Sequence, residues 1–238
     1  MLRRTLPLLA IATLTLSAAD RKTVWAGAYT ADQAKRGEAV YVNRCARCHR
    51  EDLSGYGGLL IGDRFMNDWR EDTIDSFFTV VKQTMPRDSP SSLPDNEYLD
   101  LLAYVLRENT FPAGQKELSL DTMGGFLVQG KNGPEPVPDF ALVEVVGCLV
   151  PNPAGGWMVK NASEPVRTRN PKESKPEELK TWERKALGTL TFALLDDSSI
   201  HAADLKGRKV DAKGLLIRKP GNDKLNPTSL QGLTGACQ

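Results

Sequence analysis

The chain has 238 residues, 40% hydrophobic and 26% charged, with a formal net charge of +1. That length supports one or two folded domains. The near-neutral balance gives no argument for a nucleic-acid or polyanion partner on bulk electrostatics, and none is expected.

In chain order, the first segment reads as a leader. "MLRR" supplies a positive start, "TLPLLAIATLTL" an apolar stretch, and "SAA" small residues ending at Ala19. This pattern predicts a secretory signal peptide over residues 1–19, cleaved before Asp20, the alternative being an uncleaved N-terminal anchor. The apolar run falls short of the roughly 20 residues needed to span a bilayer, so no stable membrane span is expected. The expected location is periplasmic or otherwise exported. Without Arg3 and Arg4 the chain carries 29 basic and 30 acidic residues.

Three helices are predicted next. "TADQAKRGEAVYVNR" has Thr30 or Asp32 as its N-cap and places Ala34, Val40 and Tyr41 on one face. "TIDSFFTVVKQT" is capped by Thr73 and spaces Ile74, Phe77, Phe78 and Val81 helically. "PDNEYLDLLAYVLREN" starts near Pro94–Asp95 and turns Leu101, Leu102, Val105 and Leu106 inward. The stretches between, "LSGYGG" and "MPRDSPSSLP", are loops by composition.

Residues 113–139 are rich in Gly and Pro and read as a linker or wrapping arm. Strand patterns follow in "ALVEVVGCLV", "GWMVKN", "TLTFALL", "KVDAKGLLI" and "NPTSLQGL". They suggest a small barrel or sandwich. The segment "EPVRTRNPKESKPEELKTWERKA" interrupts them as a solvated loop with a short helix.

The chemistry-bearing motif is "CARCH", with Cys45, Cys48 and His49. A redox dithiol would sit at a helix start in a βαβ setting, whereas this motif follows a helix. A structural zinc site would need two further ligands, and the remaining His201, Cys148 and Cys237 all lie in the second half. Covalent haem attachment is the remaining reading. Two thiols at this spacing each add to one vinyl group, and the adjacent His49 is held beneath the iron. Among Met66, Met85, Met123 and Met158, Met85 follows a helix and precedes the stop residue Pro86. Packing and iron ligation are equally open to it by spacing alone.

With "RGEAVYVNRCARCH", "LIGDRFMNDW", "TMP" and "YLDLLAYVLREN", the stretch Tyr29–Phe111 resembles the class I c-type cytochromes. Within them it looks most like the small monohaem proteins associated with quinoprotein dehydrogenases. The resemblance implies one covalently attached haem c, with Cys45 and Cys48 as thioether sites and His49 and Met85 as axial ligands. It also implies that Gly37 and Tyr41 meet the last helix, where Tyr104 is the crossing aromatic. Trp69 resembles an aromatic near the haem edge, a core role being equally open. Where the family often has Pro, Leu59 stands here, and its carbonyl is expected to accept the His49 Nδ1 proton. In the second half "GRKVDAKG" looks like the turn and strand of OB-like barrels. Cys148 and Cys237 are left over once the haem takes two thiols, and an oxidising compartment predicts a disulfide between them.

The expected fold is an all-α class I cytochrome c domain followed by a small all-β, OB-like barrel domain. Its predicted parts are the signal peptide 1–19, the cytochrome c domain 20–112, the arm 113–139 and the β-rich domain 140–238. The expected function is single-electron transfer, with no bond-making chemistry and no catalytic residue. Expected partners are an exported quinoprotein dehydrogenase, another cytochrome or an oxidase. The alternative is a five-coordinate haem protein with ligand-binding or peroxidase-like activity. The β domain is expected to dock a partner or stabilise the haem domain.

Overall fold

The computed structural model describes residues 22–56, 58, 60–195 and 200–237. The leader expected at 1–19 lies outside them.

Helix α1 (Ala31–Arg44) starts where Thr30 turns extended and its Oγ1 accepts from the Gln33 amide at 3.2 Å. This side-chain cap satisfies one of the free N–H groups of the first turn. The short α2 (Ala46–His49) continues from it through Cys45. Helix α3 (Gly62–Trp69) follows, then β2 (Asp72–Thr73) and α4 (Ile74–Thr84). Thr73 caps α4 through the Ser76 amide at 3.1 Å. Helix α5 (Asp95–Glu108) begins behind Pro94 and buries every residue from Tyr98 to Leu106.

Helices α1 and α5 cross at Gly37, where a Cβ would lie 1.8 Å from the Asp100 carbonyl oxygen. Tyr41 and Tyr104 stack beside the crossing with centroids 5.0 Å apart. Phe65, Phe77, Leu102 and Leu106 fill the core between the helices.

A three-stranded sheet borders this helical unit. Strand β3 (Phe126–Val128) pairs in parallel with β1 (Lys22–Thr23) and antiparallel with β2. The 113–139 segment is thereby packed onto the helices. Leu118, 2% exposed, exchanges two hydrogen bonds with the Gln33 side chain at 2.8 and 2.9 Å.

The second half forms a six-stranded sheet in the order β5-β7-β9-β8-β4-β6. Its strands are β4 (Leu142–Pro151), β5 (Trp157–Ala162), β6 (Val166–Arg167), β7 (Leu190–Leu194), β8 (Lys209–Ile217) and β9 (Lys224–Gly232). Strand β4 also pairs with β5, and β7 pairs with β9 in parallel. Alternation along β4 sends Val143, Val145 and Leu149 into a second core and Glu144, Val146 and Cys148 to the opposite face. Helix α6 (Pro176–Glu183) and a 3-10 turn at Ala202–Leu205 lie between the strands. Cys148 on β4 is disulfide-bonded to Cys237, 89 residues later.

The expected all-α domain followed by a small all-β, OB-like barrel is therefore corrected. The described residues hold six helices in a chain about 33% helical and 24% strand, with two sheets. The helical half carries a sheet, and the strand-rich half carries α6. The physical reason is length. Strands of two or three residues have no alternation to detect, and they form only because residues 113–139 fold back onto the helices.

Candidate functional site

Cys45 ends α1, its amide donating to the Tyr41 carbonyl at 2.8 Å. One tight turn then brings Cys48 and His49 round, both amides donating to the Cys45 carbonyl at 3.1 and 2.9 Å. The loop after His49 returns over this turn. The Gly55 amide donates to the His49 carbonyl at 2.9 Å. A Cβ on Gly55 would sit 2.3 Å from the Cys48 carbonyl oxygen, so only glycine permits the approach.

His49 is 7% exposed, and its Nδ1 lies 3.0 Å from the Gly58 carbonyl. A carbonyl only accepts, so Nδ1 carries the proton and Nε2 keeps a lone pair. Gly58 thus does what was expected of Leu59, which lies outside the described residues. Asn109 ties the following stretch to α5, donating to the Leu60 carbonyl and accepting from the Gly62 amide, each at 2.9 Å.

Met85 stands at the end of α4, its amide donating to the Val81 carbonyl at 2.8 Å. Its own carbonyl accepts from the hydroxyl of buried Tyr98 at 2.8 Å. Two bonds from two helices hold the Met85 backbone.

Cys45, Cys48, His49 and Met85 all line one cavity of about 1100 Å³. Small-molecule pockets span roughly 300–1,000 Å³, so this one suits a large ligand. Trp69, Phe77, Val80, Val81, Leu101, Leu102 and Val105 supply apolar walls, while Arg47, Arg87 and Asp88 stand among its polar residues. A flat apolar macrocycle with charged edge groups fits such a lining.

Burial pushes the Cys45 thiol up to about 11, with Arg44 pulling weakly the other way and Cys48 adding to the rise. It stays protonated at neutral pH, unlike the low-pKa thiolate of a reactive dithiol. Among the described residues no group of three or more His, Cys, Asp and Glu is placed to hold a metal ion by itself.

The other residues weighed lie elsewhere. Met66 and Met123 pack in the first core, and Met158 is on β5. His201 precedes the 3-10 turn of the second unit, and Cys148 and Cys237 are bonded there. Trp69 both lines the cavity and packs against Phe77 with centroids 4.4 Å apart. Sequence reading missed Gly55, Gly58, Tyr98 and Asn109. All four act through contacts to or from backbone carbonyl and amide groups, which leave no motif.

Residues 32–105 match the family model described as cytochrome C oxidase, cbb3-type, subunit III. The match supports a c-type cytochrome domain. It spans both cysteines of the motif, His49 and Met85, and covers under a third of the chain. At the level of the domain, the match supports haem c binding and a haem-based electron carrier. No curated protein and no solved structure gives a significant match.

Proposed function

We propose that the chain holds a single haem c, covalently, and serves as an exported carrier of single electrons. The observation that carries this reading is the convergence of Cys45, Cys48, His49 and Met85 on one apolar cavity. Cys45 and Cys48 would hold the group through thioethers, and His49 Nε2 and the Met85 thioether would ligate its iron. Bound there, haem supplies reversible one-electron chemistry without making or breaking substrate bonds.

The chain's own residues prepare the site for that role. The Gly58 carbonyl fixes the His49 tautomer and ring direction. Tyr98 fixes the backbone from which Met85 reaches inward. Leu101, Leu102 and Val105 on α5 give the cavity an apolar wall. A His/Met ligand pair favours a higher potential than two histidines would.

Suitable partners are redox proteins such as an exported quinoprotein dehydrogenase, another cytochrome or an oxidase. An oxidase subunit is named in the matching family's own description. Such encounters use small, transient interfaces.

Intact mass and visible to near-infrared spectra of the purified holoprotein test the reading. We expect one haem added to the chain, a low-spin ferric spectrum with the weak sulfur-to-iron band, and slow CO binding by the ferrous form. Absence of that band together with rapid CO binding would instead establish a five-coordinate, ligand-binding protein.

A further inference from the structure

Helix α3 has no basic residue in its last turn. The C-terminal carbonyls of a helix carry partial negative charge and lack intrahelical partners. Here the missing cations come from about a hundred residues further along the chain. Arg167 on β6 donates through Nη2 to the Asn67 carbonyl at 2.8 Å and through Nη1 to the Asp68 carbonyl at 2.5 Å. Arg169 also donates to the Asp68 carbonyl, and its Nε donates to the Asp72 carboxylate at 2.6 Å. Asp72 is 5% exposed and begins the strand that leads into α4.

The residue these contacts hold is Trp69, the last of α3. The Arg169 guanidinium carbon lies 4.3 Å from the Trp69 ring centroid, close enough for a cation–π contact. Trp69 and Asp68 both line the cavity that contains His49 and Met85. The strand-rich unit therefore touches the cavity wall itself.

Charge pairing around the contact is uneven. Arg64 pairs with Asp68, Arg70 with Glu135 and Arg169 with Asp72. Among the described residues Arg167 has no carboxylate partner, and its Nε is buried without any hydrogen bond. Asp72 and Asp68 act on the Arg167 charge without contacting its guanidinium through their carboxylates, and a half-buried cation is screened by salt far less than an exposed one.

We infer that the C-terminal unit is a working part of the haem site: Arg167 and Arg169 are positioning residues that lock the Trp69 wall and set a positive potential beside the cavity. This rests on the haem reading above. The Arg167 cation beside the cavity disfavours the ferric form, so it raises the reduction potential. It also explains why the strand-rich unit accompanies the cytochrome domain without any motif of its own. The unit adds side-chain donors to the C-terminal end of α3, where the Arg70 amide already donates to the Met66 carbonyl at 2.8 Å.

Two full-length holoprotein variants test this, by spectroelectrochemical titration and by hydrogen exchange across residues 66–73. Arg167→Gln removes the unpaired cation. It should lower the potential and speed exchange at least about tenfold, as expected for losing hydrogen bonds from a charged group. Arg169→Lys keeps the charge but loses the fork that spans Asp72 and the Asp68 carbonyl. Its potential should stay within the wild-type range while exchange rises. A wild-type potential in Arg167→Gln, or unchanged exchange in both variants, overturns the inference. A wild-type chain without attached haem would refute the haem reading instead, and the exchange comparison would still report on the lock.

Discussion

His49 shows how a single carbonyl selects the chemistry of a side chain. With the Gly58 oxygen 3.0 Å from Nδ1, the imidazole is held as one tautomer and faces the cavity with an acceptor nitrogen. Met85 is held through its backbone, leaving the thioether to choose its rotamer within the cavity. On the proposed haem reading, Met85→Ala should keep the covalent haem, lose the near-infrared sulfur band, bind CO rapidly when ferrous and titrate at lower potential. Spectra and a redox titration of the purified variant check all four. The residues of the motif were legible in sequence because they are contiguous and their order is the chemistry. Gly58 was not legible, because which carbonyl meets Nδ1 depends on the path of the loop.

At the level of elements, the α1–α5 crossing organises the helical half. Gly37 lets the helix backbones meet, and Tyr41 and Tyr104 pack beside them. Gly37→Ala puts a methyl carbon where the Asp100 carbonyl oxygen stands. It should cost about 3 kcal/mol, the upper range for overpacking, as measured by denaturant titration of the holoprotein. The helices were readable because capping residues and 3.6-residue periodicity are local signals, as at Thr30 and Thr73. Helix α3 is not among the helices legible in the sequence. Eight residues give barely two turns, and its C-terminal end is completed by β6 from the other half of the chain. The small sheet of β1, β2 and β3 was invisible for the same reason of range.

Across the whole molecule, two features of the strand-rich half have measurable consequences. On the face of β4 and β8 opposite the core, Glu144 and Asp211 share the Ser174 hydroxyl at 2.9 and 2.8 Å. Lys213 stands 3.7 Å from Glu144. Burial, then the Asp211 charge, pushes Glu144 up to about 8 from 4.5, and Ser174 and Lys213 oppose this incompletely. Burial raises Asp211 as well. Between pH 4.5 and about 8 the folded chain thus keeps a proton that the unfolded chain has released, so stability falls as pH rises. Glu144→Gln should reduce that slope, leaving the part due to Asp211, in denaturation curves taken across this window. The Cys148–Cys237 bridge closes a span of 89 residues. Replacing both with Ser should cost about 4–5 kcal/mol at most in the chain-entropy view, seen as a lower denaturation midpoint of the purified protein. The same pair should resist alkylation until reduced.

What the sequence alone determined were local matters: the "CARCH" motif, three helices, two of them with their caps, and five strand runs with their alternation. Each depends on residues within a few positions of one another, where spacing and chemistry act directly. Tertiary structure decided the rest. It brought Met85 into the same cavity as His49, chose Gly58 as the histidine's partner, folded the 113–139 arm into a sheet and set Arg167 and Arg169 against Trp69. Those contacts join residues as much as a hundred positions apart. A stretch such as "EPVRTRN" reads as a solvated loop until the fold supplies the helix end that its guanidinium groups complete.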